Sequence, residues 1–161
     1  MNTLVLVCGY VSAGLAMGLG AIGPAYGIGM AGAKACEAAT RQPHASGSIT
    51  KVMLVGQAVS ESPAIFALLV AIFLTFKVYN LPAELSIANV AALVGAGLST
   101  GLGSIGPGIG SGVANASACE GVGRDPELEA HMLRTMLIGQ AVSQSTCVYA
   151  LVISMCLLFV I

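Results

Sequence analysis

One residue in this sequence is chemically out of place. Glu61 lies in the block Gly56-Gln57-Ala58-Val59-Ser60-Glu61-Ser62, followed by an almost wholly apolar run to Phe76. A charged side chain at the centre of a membrane helix costs roughly 2.5–3.5 kcal/mol, so such a group is kept for an ion path or for tying helices together. A carboxyl group that is neutral against lipid and charged against an aqueous path has the property a proton carrier needs. Other patterns carry less. Gly18-Leu-Gly20-Ala-Ile-Gly23 and Gly101-Leu-Gly103-Ser-Ile-Gly106 both fit GxGxxG. No strand precedes either, and both lie within apolar stretches, so a dinucleotide fingerprint is rejected. Cys8, Cys36, Cys119, Cys147 and Cys156 form no CxxC pair and no Cys/His cluster of metal-ligand spacing, and are read as small apolar residues. Asn115-Ala-Ser117 is a formal glycosylation sequon at the end of a span, where no glycan is expected.

The elements that must hold Glu61 follow from composition. The 161 residues are 57% hydrophobic and only 8% charged, with mean hydropathy +0.92 and 21 glycines but no tryptophan. That excludes an ordinary soluble domain. A net charge of −1 provides no basic surface for nucleic acid. Four apolar stretches, near 4–33, 52–76, 85–117 and 133–160, each reach the ~20 residues of a membrane-spanning helix. The first lacks a basic flank and runs on too far for a signal peptide, so it is read as a span that stays. Glu61 then lies roughly 15 Å into the second span, near mid-membrane. The fold class is therefore all-α, in two tandem transmembrane hairpins.

Tandem duplication is explicit. An offset of 83 positions pairs Gly18, Gly20, Gly23, Pro24 and Gly27 with Gly101, Gly103, Gly106, Pro107 and Gly110. It also places Ala35-Cys36-Glu37 on Ala118-Cys119-Glu120, and Gly56 to Ser60 on Gly139 to Ser143. The copies divide as 1–80 and 81–161. Arg41-Gln42-Pro43-His44 and Arg124-Asp125-Pro126-Glu127 form the two hairpin turns, and Lys77 to Glu84 joins the copies. Lys34, Arg41, Lys51, Arg124 and Arg134 cluster at the turns, with only Lys77 opposite. The turns should therefore face the cytoplasm, with both termini outside. Glycines spaced two to four residues apart give spans one and three a bare face for close helix packing, as an inner ring of helices requires.

At the position equivalent to Glu61 the second copy has Gln144. Its amide is close in shape to a protonated carboxyl and can hydrogen-bond across helices, but cannot exchange a proton. Ser143, Ser145, Thr146 and Tyr149 keep that pocket polar, and structural support is its expected role.

With Ile22-Gly23-Pro24, the Arg41-Gln42-Pro43 turn and the Gly56 to Ser62 block, the sequence resembles the proteolipid c subunits of rotary ATP synthases over nearly its whole length. V-type proteolipids are similarly duplicated. They usually keep the carboxylate in the last helix, whereas here it is in the second, and the Arg-Gln-Pro turn is of F-type style. The resemblance implies a non-catalytic protein that closes into a ring with like or related chains. Glu61 would take and release an ion at two half-channels formed with the a subunit, whose arginine forces release. Glu61, Ser62, Val59 and Gln57 would form the ion site. Gln144, Ser145 and Ser111 would form a pocket without a carboxylate, and Arg41, Gln42 and Arg124 would meet the central stalk. No cofactor is implied beyond the transported ion.

For that ion the resemblance gives a further comparison. Sodium-carrying relatives place a Gln in the first helix and a Ser after the Glu. Ser62 is present, which leaves Na⁺ at Glu61 and Ser62 open, but the first-helix position is Ile28 in one copy and Ser111 in the other. Pro63 and Phe66 replace the supporting Thr and Tyr. H⁺ is favoured over Na⁺. The competing class is a small four-helix proton-coupled secondary transporter, but such carriers line their cation pocket with aromatic rings, and aromatic residues are scarce here.

Overall fold

The computed structural model describes residues 3–79 and 87–160. The expected link between the copies lies mostly outside these residues. Six α-helices are present among the described residues: α1 (Thr3–Arg41), α2 (Ser46–Ser60), α3 (Ser62–Tyr79), α4 (Ile87–Gly103), α5 (Ile105–Arg124) and α6 (Glu129–Val160). Among the described residues four helical stretches are long and apolar enough to cross a membrane: Val5–Arg41, Pro43–Tyr79, Ile87–Arg124 and Pro126–Phe159. The chain is thus an all-helical, multi-pass membrane protein. Helices overrun the apolar stretches at the turns. At 1.5 Å per residue the first 37-residue stretch is ~55 Å long against a ~30 Å hydrocarbon layer. The overrun is where charged pairs sit: Lys34–Glu37 at 2.9 Å, Arg41–Glu37, Arg124–Glu120 at 2.6 Å and Lys51–Glu129 at 2.6 Å. Three of these are i,i+3 or i,i+4 pairs, the spacing that supports a helix beyond the lipid.

Both turns are built around proline. Pro43 opens a 3₁₀ turn (Pro43–Ala45) and Pro126 a second (Pro126–Leu128), where a missing N–H costs nothing. Asp125 accepts a hydrogen bond from the Glu127 N–H at 3.2 Å, whereas Gln42 makes no side-chain cap.

Prolines inside the spans act differently. α1 winds through Pro24 unbroken. The second span breaks at Glu61, two residues before Pro63, and the third at Ser104, three before Pro107. Proline has no N–H to offer the carbonyl four residues back, so Pro63 releases Val59 C=O and Pro107 releases Gly103 C=O. The fourth span has Thr146 in place of Pro63, and α6 is continuous. Hydropathy alone carries no sign of these two breaks.

The chain forms two compact units, each drawing on all four spans: residues 1–22, 63–105 and 146–161, and residues 23–62 and 106–145. The first unit is packed around Val70, Leu74, Val78, Leu93 and Ala96, all but fully buried. Within it hydroxyls link the helices. Thr100 and Ser154 share a hydrogen bond at 2.5 Å, Ser154 Oγ donates to Ala96 C=O at 2.8 Å, and Ser104 Oγ donates to Pro63 C=O at 3.2 Å. The second unit is packed around Ala35, Ala38, Ile49, Val52, Cys119 and Val122, with the alanines small enough to let the helices lie close. Large apolar side chains face outward instead, among them Ile65, Leu68, Phe73 and Phe76 of α3, as a lipid-facing surface requires.

Candidate ion-carrying site

Glu61 occupies the break between α2 and α3. Its backbone is still right-handed helical (φ −80°, ψ −19°), and its N–H donates to Gln57 C=O at 3.1 Å. The side chain lies on the exposed surface of the chain, Ser62 is half-buried beside it, and every ion pair among the described residues is at the turns, away from Glu61. An acid so placed is presented outward, to lipid or to a neighbouring protein, and does not hold the chain's own helices together.

The other predicted ligands are engaged elsewhere. Gln57 Nε2 donates to Ile28 C=O at 3.2 Å and so ties α2 to α1. The Val59 carbonyl released by Pro63 accepts from Gln144 Nε2 at 3.1 Å. The same Nε2 lies 3.3 Å from Ser111 Oγ, whose own proton goes to Pro107 C=O at 2.8 Å, leaving a lone pair for the amide. Gln144, Ser111 and Val59 therefore form one pocket inside the chain. Ser145 is not part of it, because its hydroxyl turns back to Val142 C=O at 2.8 Å. Thr146 and Tyr149 are exposed.

Two polar residues to which the sequence reading gave no part in the site, Gln140 and the sequon's Asn115, hold this second unit. Gln140, the repeat partner of Gln57, is fully buried, with Nε2 at 3.0 Å from Ser111 C=O, 3.1 Å from Gly56 C=O and 3.3 Å from Ser60 Oγ. Its Oε1 is buried without a partner. Flipping the amide would set that oxygen against three oxygens, so the orientation is fixed by the surroundings. Asn115, the counterpart of Gly32, is also fully buried and donates through Nδ2 to Met53 C=O at 3.1 Å. It occupies the space left by Gly56, where an added Cβ would stand 2.2 Å from Asn115 Cγ. The only cue to Gln140 was its place in the repeated Gly-Gln-Ala-Val-Ser block.

Part of the expected glycine face is closely packed within the chain, while Gly14, Gly18 and Gly29 face open space. A Cβ at Gly112 would lie 2.1 Å from Gly27 Cα, and one at Gly108 2.3 Å from Pro24 N and 2.5 Å from Gly23 C. Backbone touches backbone, so α1 and α5 approach as closely as two helices can. At the turns, the Arg41 and Arg124 side chains are 59% and 74% exposed, open to a partner despite pairing with Glu37 and Glu120. Gln42 is half-buried, its N–H donating to Ala38 C=O at 3.0 Å.

Comparison with known proteins agrees with this architecture. The ATP synthase C-subunit family matches twice, at residues 11–74 and 94–157. The ATP synthase c subunit of Alkaliphilus oremlandii is 51% identical over 69 residues, which cover 43% of this chain and 77% of the relative. The chloroplastic c subunit of Emiliania huxleyi is 48% identical over 73 residues (45% and 89%), and that of Porphyra purpurea 46% identical over 74 (46% and 90%). Each relative is thus matched over most of its own length by about half of this chain, and the two family matches fall one on each copy. The chain belongs to the ATP synthase C-subunit family, as two fused copies of its hairpin.

Proposed function

We propose that this protein is an ion-carrying member of the rotor ring of a membrane rotary ATP synthase or ATPase, with Glu61 as the carrier. The reading is supported chiefly by the contrast between repeat partners: Glu61 is displayed on the outer surface at a helix break, whereas Gln144 is hydrogen-bonded inside the chain. Glu61 takes an ion from one half-channel of the a subunit and yields it to the other, and ring rotation couples this to ATP synthesis or hydrolysis. Gln144 keeps the second pocket filled and inert. The turns carrying Arg41, Gln42 and Arg124 face the cytoplasm and meet the central stalk, and the complex sits in the cell membrane.

H⁺ is the proposed ion. A Na⁺ site needs several oxygens besides one carboxylate, and near Glu61 the Val59 carbonyl already accepts from Gln144 Nε2, while the first-helix position is occupied by Ile28, which has no side-chain oxygen to offer. With one carrier per four helices, fewer ions pass per turn. Each contributes ~2.3 kcal/mol per 100 mV, so synthesis needs a larger driving force and hydrolysis pumps against a steeper gradient. Glu61→Gln should abolish coupled ion transport while the ring still assembles. A variant that still pumps would remove Glu61 from this role. Activity at fixed pH with and without Na⁺ checks the ion, and strict Na⁺ dependence would overturn the choice of H⁺.

A further inference from the structure

The offset of 83 residues permits a test of how this chain can meet its neighbour in a ring, and the inference rests on the ring reading above. Inside the chain, the first hairpin presents Gly23, Gly27 and Gly56 to the second, and the second presents Gly108, Gly112 and Asn115 in return; all six are buried. Their repeat partners are left uncovered at the two flanks. Gly106, Gly110 and Gly139 are exposed on the second hairpin, and Ala25 and Gly29 on the first, beside half-buried Gly32. An added Cβ at Gly106, Gly139 or Gly29 would meet nothing within 4 Å. Each flank repeats one half of the internal seam, so the two are complementary and head-to-tail contact between copies continues the arrangement. The neighbour that covers Glu61 is accordingly the second hairpin of another copy.

That contact cannot repeat the internal one. Ala25 is the counterpart of Gly108, and a Cβ at Gly108 would lie 2.3–2.5 Å from the backbone of Gly23 and Pro24. Under the same step, the Ala25 methyl would run into the backbone of residues 106 and 107 of the next copy. Neither side of that collision is a flexible side chain, and restoring a carbon contact of 3.5 Å requires ~1 Å of separation. Two turns nearer the hairpin end, the internal seam is filled by Asn115 lying over Gly56, with a hydrogen bond to Met53 C=O. Between copies the corresponding pair is Gly32 and Gly139, two residues without side chains.

We propose that the ring has two kinds of seam, and that the seam between chains, which carries Glu61, is wider at Ala25 and emptier at Gly32 than the seam within each chain. The ion carrier then stands beside the looser joint, with space for water on its turn-ward side. The internal seam is clamped by Asn115, Gln140 and Gln144.

Electron cryomicroscopy of the intact ring tests this. First-helix spacing should alternate, with the gap at Ala25 ~1 Å wider than the gap at Gly108, and Ala25→Gly should reduce the alternation. Gly32→Asn should raise the temperature at which the ring separates into single chains in dodecyl sulfate. Equal spacing in the unmodified ring would overturn the proposal without the need for any variant. A single hairpin of different sequence beside Glu61 would overturn the choice of neighbour. Absence of any ring would instead refute the rotor reading on which the proposal depends.

Discussion

The close approach of α1 and α5 makes Gly108→Ala the most informative single substitution. The new methyl would stand 2.3 Å from Pro24 N and 2.5 Å from Gly23 C, so the two helices must part by ~1 Å. Three side-chain bonds that cross the same seam begin at 3.1 Å: Asn115 to Met53, Gln140 to Gly56 and Gln144 to Val59. A shift of that size carries all three past hydrogen-bonding distance. At ~0.6 kcal/mol for each such bond in a membrane protein, their loss costs about 2 kcal/mol, and overpacking adds about 1–3. Replacing a helical glycine returns at most about 1 kcal/mol. The expected net loss is about 2–4 kcal/mol. Gly29→Ala is the matched control, since it makes the same change of residue at a position where the methyl meets nothing in the chain. Both variants can be unfolded by dodecyl sulfate titration in mixed micelles and followed by circular dichroism. If Gly108→Ala is as stable as Gly29→Ala, the backbone contact is not what holds the hairpins together.

Other expectations follow from the same geometry. Gln144→Glu removes the amide that donates to Val59 C=O and Ser111 Oγ and sets a carboxylate against two oxygens. The new group should hold a proton or a cation there, changing the ion-to-ATP ratio if the half-channels reach it and leaving the ratio unchanged if they do not. Pro63→Ala restores a donor for Val59 C=O and should join α2 to α3, detectable as slowed amide hydrogen exchange at Ser62 and Ala64 and as a protected amide at position 63. Unchanged exchange would show that the break does not depend on proline. Lys51→Ala removes the ion pair to Glu129, in which the lysine side chain is 63% exposed. The effect on thermal unfolding should be small and should vanish at high salt; a large, salt-independent loss would mean that Lys51 does more than pair.

Much of this fold was legible because lipid imposes simple rules. Four apolar stretches predicted four spans, the offset of 83 residues predicted two like hairpins, and Pro43 and Pro126 marked the turns. Helix ends were less legible, since α1 continues to Arg41 on i,i+4 pairing after the apolar run ends near Ala33. The break at Glu61 was encoded in Pro63, but α1 crosses Pro24 unbroken, so proline alone does not say which span yields. The repeat offset marked Glu61 and Gln144 as a pair with divergent chemistry. That Gln144, Gln140 and Asn115 bond across to backbone carbonyls of the first copy depends on which face each helix turns inward. In a glycine-rich segment almost every face is small enough to do so, and periodicity cannot choose among them.

Covalent fusion of the hairpins also fixes an arithmetic of rotation. In the proposed ring, a circle closed from this chain alone contains an even number of hairpins, and each captured ion must carry the rotor through the arc of two. The same electrical work is spread over twice the angle that a single-hairpin ring of equal size would sweep per ion, so the mean torque is halved. Such a machine gives up turning force in exchange for fewer ions per revolution.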